Sequence, residues 1–165
     1  MTETTAYEMG ASDVVEVVRG VGVEVCLSGG WAVDALLGEQ TRKHDDLDLW
    51  LPAVDLHRAF QGLTRLGIDR IFPWPGDRPW NFVLHDGARR RLDLHLYETR
   101  ADGRIHYGSA VQGESFPAAA LDGRGTVGGV PVRCEAVEWS LKWHSGYPPR
   151  DKDRHDMRLL RERFG

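Results

Sequence analysis

His44-Asp45-Asp46-Leu47-Asp48-Leu49-Trp50-Leu51 is the stretch that decides the fold. From Asp46 onward polar and apolar residues alternate, the period of a half-buried strand whose successive side chains point to opposite faces. Leu47, Leu49 and Leu51 then share the buried face, and Asp46, Asp48 and Trp50 share the other. Two carboxylates two residues apart on one face repel each other. A hard divalent cation with oxygen ligands is the usual relief. An isolated Asp-x-Asp can also be a solvated strand face, so a second element has to support the metal reading.

That element is Arg91-Leu92-Asp93-Leu94-His95-Leu96, which repeats the alternation. Its leucines fall on one face, and Arg91, Asp93 and His95 on the other. If the two strands are neighbours, Asp93 converges on Asp46 and Asp48. Three carboxylates around one or two magnesium ions suit phosphoryl or nucleotidyl transfer. Upstream, Ser28-Gly29-Gly30 stands between an apolar strand candidate and a helix candidate. Paired glycines admit close approach of a ligand to the backbone, and a helix N-terminus favours phosphate.

Outward from these segments, the spacing predicts helices over 12–19, 31–37, 54–66, 137–143 and 151–163. Ser12 and Glu16 are expected to cap the first, and Gly38 to close the second. Strands are predicted over 23–27, 46–51, 68–72, 80–84, 91–97 and 130–134, with Asp86-Gly87 as a hairpin turn. The Gly-rich stretch over 99–129 gives no clear pattern. The elements imply an α/β (α+β) fold: a mixed, partly antiparallel sheet flanked by helices. One domain is expected over 1–165, with closing helices at about 136–163.

The chain has 165 residues and a formal net charge of −4, from 21 Lys plus Arg and 25 Asp plus Glu. The mild acidity argues against a nucleic-acid partner, which usually faces a basic surplus. No apolar run approaches the roughly 20 residues of a membrane span, and the N-terminus lacks the pattern of a signal peptide. Cys26 and Cys134 lie in apolar stretches and read as buried thiols of a cytoplasmic protein. The charge is uneven. Residues 140–165 carry 7 basic and 4 acidic side chains, and residues 1–139 carry 14 and 21. An acidic body suits metal binding, and a basic closing segment suits a triphosphate.

Taken together, Gly29-Gly30, a helix, an Asp-x-Asp strand and a third Asp on a later strand resemble the polymerase-β-type nucleotidyltransferase superfamily. Ser28 through Gly38, Thr41-Arg42, His44 and Asp46-Leu47-Asp48 resemble the small lincosamide nucleotidyltransferases and the related 2''-aminoglycoside enzymes. Leu92-Asp93-Leu94-His95 is similar to that family's third-carboxylate strand. His144-Ser145-Gly146-Tyr147 and Asp153-Arg154-His155-Asp156 are similar to its closing helices. The likeness runs over roughly residues 20–160.

The resemblance implies transfer of a nucleoside monophosphate, with ATP as the usual donor, to a hydroxyl of a small antibiotic-like molecule. It assigns Mg2+ to Asp46 and Asp48. Asp93 either completes the metal site or acts as the general base. Ser28, Gly29 and Gly30 would contact the triphosphate, and Arg42 would pair phosphate oxygens with its planar guanidinium. Serine at 28 departs from the Asp that often precedes Gly-Gly in the family, but it can donate to phosphate. Lys152 also departs from the closest pattern; it would contact phosphate or lie on a solvated helix face. The partners implied are a nucleoside triphosphate and a small-molecule hydroxyl acceptor, and a homodimer is compatible with the chain. Other readings are an AMP-transferring toxin-type enzyme acting on protein or tRNA, a catalytically silent nucleotide-binding domain, and a phosphohydrolase using His44-Asp45 and His155-Asp156.

Several residues have blander expectations. Asp34 is expected to brace the site by pairing with Arg42 or His44. His44 is expected to orient a carboxylate or the loop before it. Arg89, Arg90 and Arg91 resemble a nucleic-acid patch but read as a solvated edge. Glu98 is placed at the edge of the cleft. Trp139 and Trp143, four apart on a helix, read as core. Trp74 and Trp80, among Pro73, Pro75 and Pro79, either wall an acceptor pocket or pack into the core.

Overall fold

The computed structural model describes residues 6–72, 76 and 78–165. Its elements run α1 (Ala11–Gly20), β1 (Cys26–Ser28), α2 (Gly29–Leu37), β2 (Leu47–Pro52), α3 (Leu56–Arg65), β3 (Arg70–Ile71), β4 (Asn81–His85) and β5 (Arg91–Thr99). They continue with β6 (Ile105–Tyr107), β7 (Glu114–Phe116), β8 (Gly123–Val127), β9 (Val130–Cys134), α4 (Val137–His144) and α5 (Asp151–Phe164). The strands form one mixed sheet in the order β3-β4-β5-β2-β1-β9-β8, and β6 and β7 extend it from β5. β2 pairs parallel with β5, and β1 pairs antiparallel with β2 and parallel with β9.

The alternation in the two acidic strands is realised as face selection. Leu47, Leu49, Leu51, Leu92, Leu94 and Leu96 are all buried in the main core, together with Val14 and Val17 of α1, Trp31 and Ala35 of α2, and Leu63 of α3. Burying a leucine side chain contributes about 1.5–3 kcal/mol, so the six leucines alone fix which face of β2 and β5 turns inward. The opposite face carries a smaller aromatic cluster. There Cys26, Trp50, Tyr97, Phe116 and Leu121 are buried, with Trp139 and Trp143 of α4 packed against them.

Local differences from expectation have visible causes. Helix α1 has Gly10 rather than Ser12 as its N-cap, and the Asp13 carboxylate accepts the Gly10 N–H at 2.9 Å. Glu16 instead meets Arg90 at 2.7 Å. Ser28-Gly29-Gly30 is not a free turn: Ser28 is the N-cap of α2, and both glycines are in its first turn. The expected strand at 68–72 shrinks to two residues because the Ile68 N–H bonds back to the Leu63 carbonyl at the end of α3. Asp86 builds a longer turn than Asp86-Gly87 alone, accepting the N–H groups of Ala88, Arg89 and Arg90. The stretch over 99–129 holds β6, β7 and β8, each only three to five residues long. The closing helices fall where they were expected. Cys26 and Cys134 are buried and free, and burial pushes both thiols up.

Candidate active site

The parallel register of β2 and β5 sets Asp48 beside Asp93 and Trp50 beside His95. Asp46 lies one residue before β2 and reaches the same spot. One oxygen from each of Asp46, Asp48 and Asp93 lies within 4.8 Å of the others. The convergence inferred from strand parity is therefore present. Burial raises Asp46 to about 7, and the charges of Asp48 and Asp93 add to it. Burial likewise raises Asp93 to about 6, with Asp48 adding to it. A cation bound among the three carboxylates would relieve the repulsion that favours the protonated forms of Asp46 and Asp93.

His95 stands next to them, its Nε2 3.6 Å from Asp48 Oδ1. Its Nδ1 faces the Tyr107 hydroxyl at 3.1 Å and the Asn81 amide at 3.3 Å. Burial disfavours the imidazolium, but Asp48, Asp93 and Glu135 outweigh it and raise His95 above its ordinary value.

The glycine pair is required by close packing. Gly29 has φ +60°, and a Cβ there would meet the Asp48 carboxylate. A Cβ on Gly30 would meet the Arg42 guanidinium and stand 2.8 Å from His44 Nδ1. The N-terminus of α2 is thus pressed against the acidic site on one side and two basic side chains on the other. Ser28, Gly29 and Gly30 line one cleft of about 340 Å3 with Asp46, Asp48, Asp93, Arg42 and Lys152. The three carboxylates and the five residues assigned to phosphate from the sequence all border this cleft.

Their partners differ from expectation in two places. Arg42 directs Nε and Nη2 to Asp156 of α5, each at 2.9 Å, and Nη1 to the Lys43 carbonyl at 3.0 Å. Its fork is therefore committed to a carboxylate, not left open for phosphate. The Ser28 hydroxyl donates to Glu135, the residue after β9, rather than facing open cleft. Asp34 pairs with His44 at 2.6 Å, not with Arg42. It also accepts from the Thr41 amide and hydroxyl, and that hydroxyl lies 3.0 Å from His155 Nε2. The Trp31 ring stacks on His44 with centroids 4.5 Å apart.

Sequence reasoning missed Glu135 and gave Asp156 a role only in the phosphohydrolase reading. Glu135 is 2% exposed and accepts the Trp50 indole N–H at 2.9 Å as well as Ser28. Burial raises its carboxyl, and these two hydrogen bonds oppose the rise. Asp156 is buried and takes both Arg42 and, at 3.6 Å, His144. Burial acts against its charge, yet the Arg42 and His144 contacts hold it below the usual carboxylate range. The available signal for Glu135 was an acid placed directly between a buried strand and a helix.

Other candidates fall elsewhere. Trp143 lines the cleft instead of lying wholly in the core, and Arg150 and Tyr147 join it from the closing segment. Trp80 and Glu98 border a separate, smaller hollow with Pro79 and Leu96. Trp74 lies outside the described residues. Arg89 is held by Asp13, and Arg90 by Asp86 and Glu16. The Arg91 guanidinium stacks 5.4 Å from the Phe72 ring and 3.5 Å from Asp93. The three arginines are structural ion pairs rather than an open basic patch. No helix among the described residues is long and apolar enough to cross a membrane.

Known proteins resemble this chain in sequence and in fold. The chain is 26% identical over 154 residues to the lincosamide resistance protein of Staphylococcus haemolyticus, covering 90% of each. It is 35% identical over 130 residues to a 2''-aminoglycoside nucleotidyltransferase of Escherichia coli, covering 74% of this chain and 66% of that enzyme. The structure matches the lincosamide antibiotic adenylyltransferase LnuA in its lincomycin-bound form with a TM-score of 0.76 at 25% identity, covering 96% of this chain and 98% of LnuA. It shares its fold with ANT(2'')-Ia at a TM-score of 0.71 and 24% identity, covering 94% and 89%. Residues 11–160 match the aminoglycoside-2''-adenylyltransferase family from α1 to α5, and the chain belongs to that family.

Proposed function

We propose that this chain moves AMP from ATP, with magnesium, to a hydroxyl of a small antibiotic-like acceptor, a lincosamide or an aminoglycoside. The observation that carries the reading is the β2–β5 register, which sets Asp48 beside Asp93 with Asp46 in reach, directly against the glycine pair of α2. The donor set fits a hard cation, because it is all oxygen and is gathered within 4.8 Å. Asp46 and Asp48 would hold Mg2+, which when bound neutralises phosphate charge and polarises the α-phosphorus.

The protein's own groups do the rest. The α2 N-terminus with Gly29 and Gly30 receives the triphosphate, where free amides and the helix dipole favour anions. Lys152, on the cleft rim, adds a cation for the leaving pyrophosphate. Arg42 supports the phosphate site from its seat on Asp156. Asp93 takes the proton of the acceptor hydroxyl, or completes the metal's ligand set while the proton leaves to solvent. The acceptor oxygen bonds to the α-phosphorus as the bond to the bridging oxygen breaks, and pyrophosphate departs. The acceptor class is supported by relatives that act on lincosamides and aminoglycosides.

The test is incubation with ATP, Mg2+ and a panel of lincosamides and aminoglycosides, read by mass spectrometry. A product heavier by one adenylyl group, absent with Asp46→Asn, is the expected result. ATP binding without transfer or pyrophosphate release across the panel would instead indicate a silent nucleotide-binding domain.

A further inference from the structure

Ser28 occupies the N-cap of α2 with extended backbone angles, φ −123° and ψ 170°, yet its side chain makes no capping hydrogen bond. A serine in that position ordinarily turns its oxygen onto an amide of the first turn. Here the hydroxyl is drawn away by Glu135, and that carboxylate is fixed on both sides. Its backbone N–H bonds to the Leu27 carbonyl at 3.0 Å, and its Oε1 also accepts the Trp50 indole. No hydrogen bond to the second oxygen, Oε2, is seen among the described residues, and Glu135 lines the cleft.

We propose that Glu135 is a positioning residue for the nucleotide: by holding the Ser28 hydroxyl it keeps the N-cap side chain off the first turn of α2 and leaves those amides open to phosphate. The inference rests on the nucleotidyltransferase reading above and deepens it. A helix that caps itself offers fewer donors to an anion, because its first orphan N–H groups are already satisfied. Gly29 and Gly30 carry no side chain of their own, and both line the cleft, so a Ser28 side chain rotated onto the first turn would compete with a ligand for those amides. Glu135 thus acts through Ser28 and does not need to touch the substrate.

Binding of MgATP to the full-length chain, measured by equilibrium dialysis, tests this without depending on the acceptor. Glu135→Met keeps the volume and removes both acceptor oxygens; it is expected to weaken MgATP about tenfold, the scale of one N-cap hydrogen bond. Glu135→Gln, whose amide oxygen can accept from Ser28 and Trp50, is expected to recover most of that loss. So is Ser28→Ala placed in the Glu135→Met background, because no hydroxyl remains to cap the helix. Wild-type affinity in Glu135→Met, or a double variant as weak as Glu135→Met, overturns the proposal. A Glu135→Met variant that lowers kcat and leaves KM for ATP unchanged does so as well. Should Glu135→Met fail to fold, the amide resonances of Gly30 and Trp31 in the wild type decide the matter. They are expected to move on MgATP saturation, and fixed resonances overturn the idea. Loss of transfer in the wild type with MgATP binding intact would count against the proposed reaction alone.

Discussion

Asp93 shares a ladder position with Asp48, and removing its charge has two opposite consequences. Asp93→Asn is expected to reduce adenylyl transfer at least about a hundredfold, the scale of a lost general base, with pyrophosphate release as the readout. The same change relieves like-charge repulsion, so the metal-free melting temperature should hold or rise. A fall of several degrees would mean that Asp93 stabilises the fold instead. Gly30 makes the complementary case by sterics. Gly30→Ala drives a methyl group into Arg42 and His44, and it is expected to cost about 1–3 kcal/mol in urea unfolding, the range for overpacking. These two positions were legible in the sequence for different reasons. Asp93 announced itself by alternation, and Gly30 by pairing with Gly29 ahead of a helix. Glu135 and Asp156 did not, because their roles depend on Ser28, Trp50, Arg42 and His144, partners 85 or more residues away in the chain for all but His144. No local pattern encodes such a meeting.

Helix α5 lines the cleft with Lys152 and is braced against the site by one buried carboxylate. Asp156 ties it to Arg42 before β2 and to His144 at the end of α4. Removing one partner of a buried pair leaves the other uncompensated. Asp156→Ala is accordingly expected to destabilise the fold by about 3 kcal/mol in urea and to raise KM for ATP by loosening Arg42. An unchanged unfolding midpoint would show that α5 docks by apolar contacts alone. The strands answer to packing instead: Leu94→Ala, in the inward row of β5, should cost about 2–5 kcal/mol. Long periodic elements such as β2, β5, α3 and α5 were readable because their apolar spacing repeats. The β6, β7 and β8 strands were not, since three to five residues hold too few alternations to mark a period.

Across the molecule, the acid cluster links stability to pH and to metal. Asp46 and Asp93 have pKa values raised to about 7 and about 6 in the fold. An acid raised in the folded state favours folding while protonated, so the metal-free protein should lose stability as pH climbs from about 4 to about 7. Mg2+ competes with those protons. The melting-temperature gain on adding it should therefore be small at pH 5 and larger at pH 8. An equal gain at both pH values would place the metal away from these carboxylates. The acidic body and basic closing segment seen in the composition meet at this cleft, which Lys152 and Arg150 line together with the carboxylates.

The aromatic side of the sheet has an optical consequence. Trp50 lies against Trp143 with ring centroids 5.5 Å apart, and Trp143 against Trp139 at 5.3 Å. Trp31 rests on His44 on the other side of the α2 N-terminus. Indoles this close exchange excitation energy, and their emission responds to charge placed beside them. Trp143 also lines the cleft, so the intrinsic fluorescence of the unlabelled protein is expected to change when a charged substrate arrives beside it.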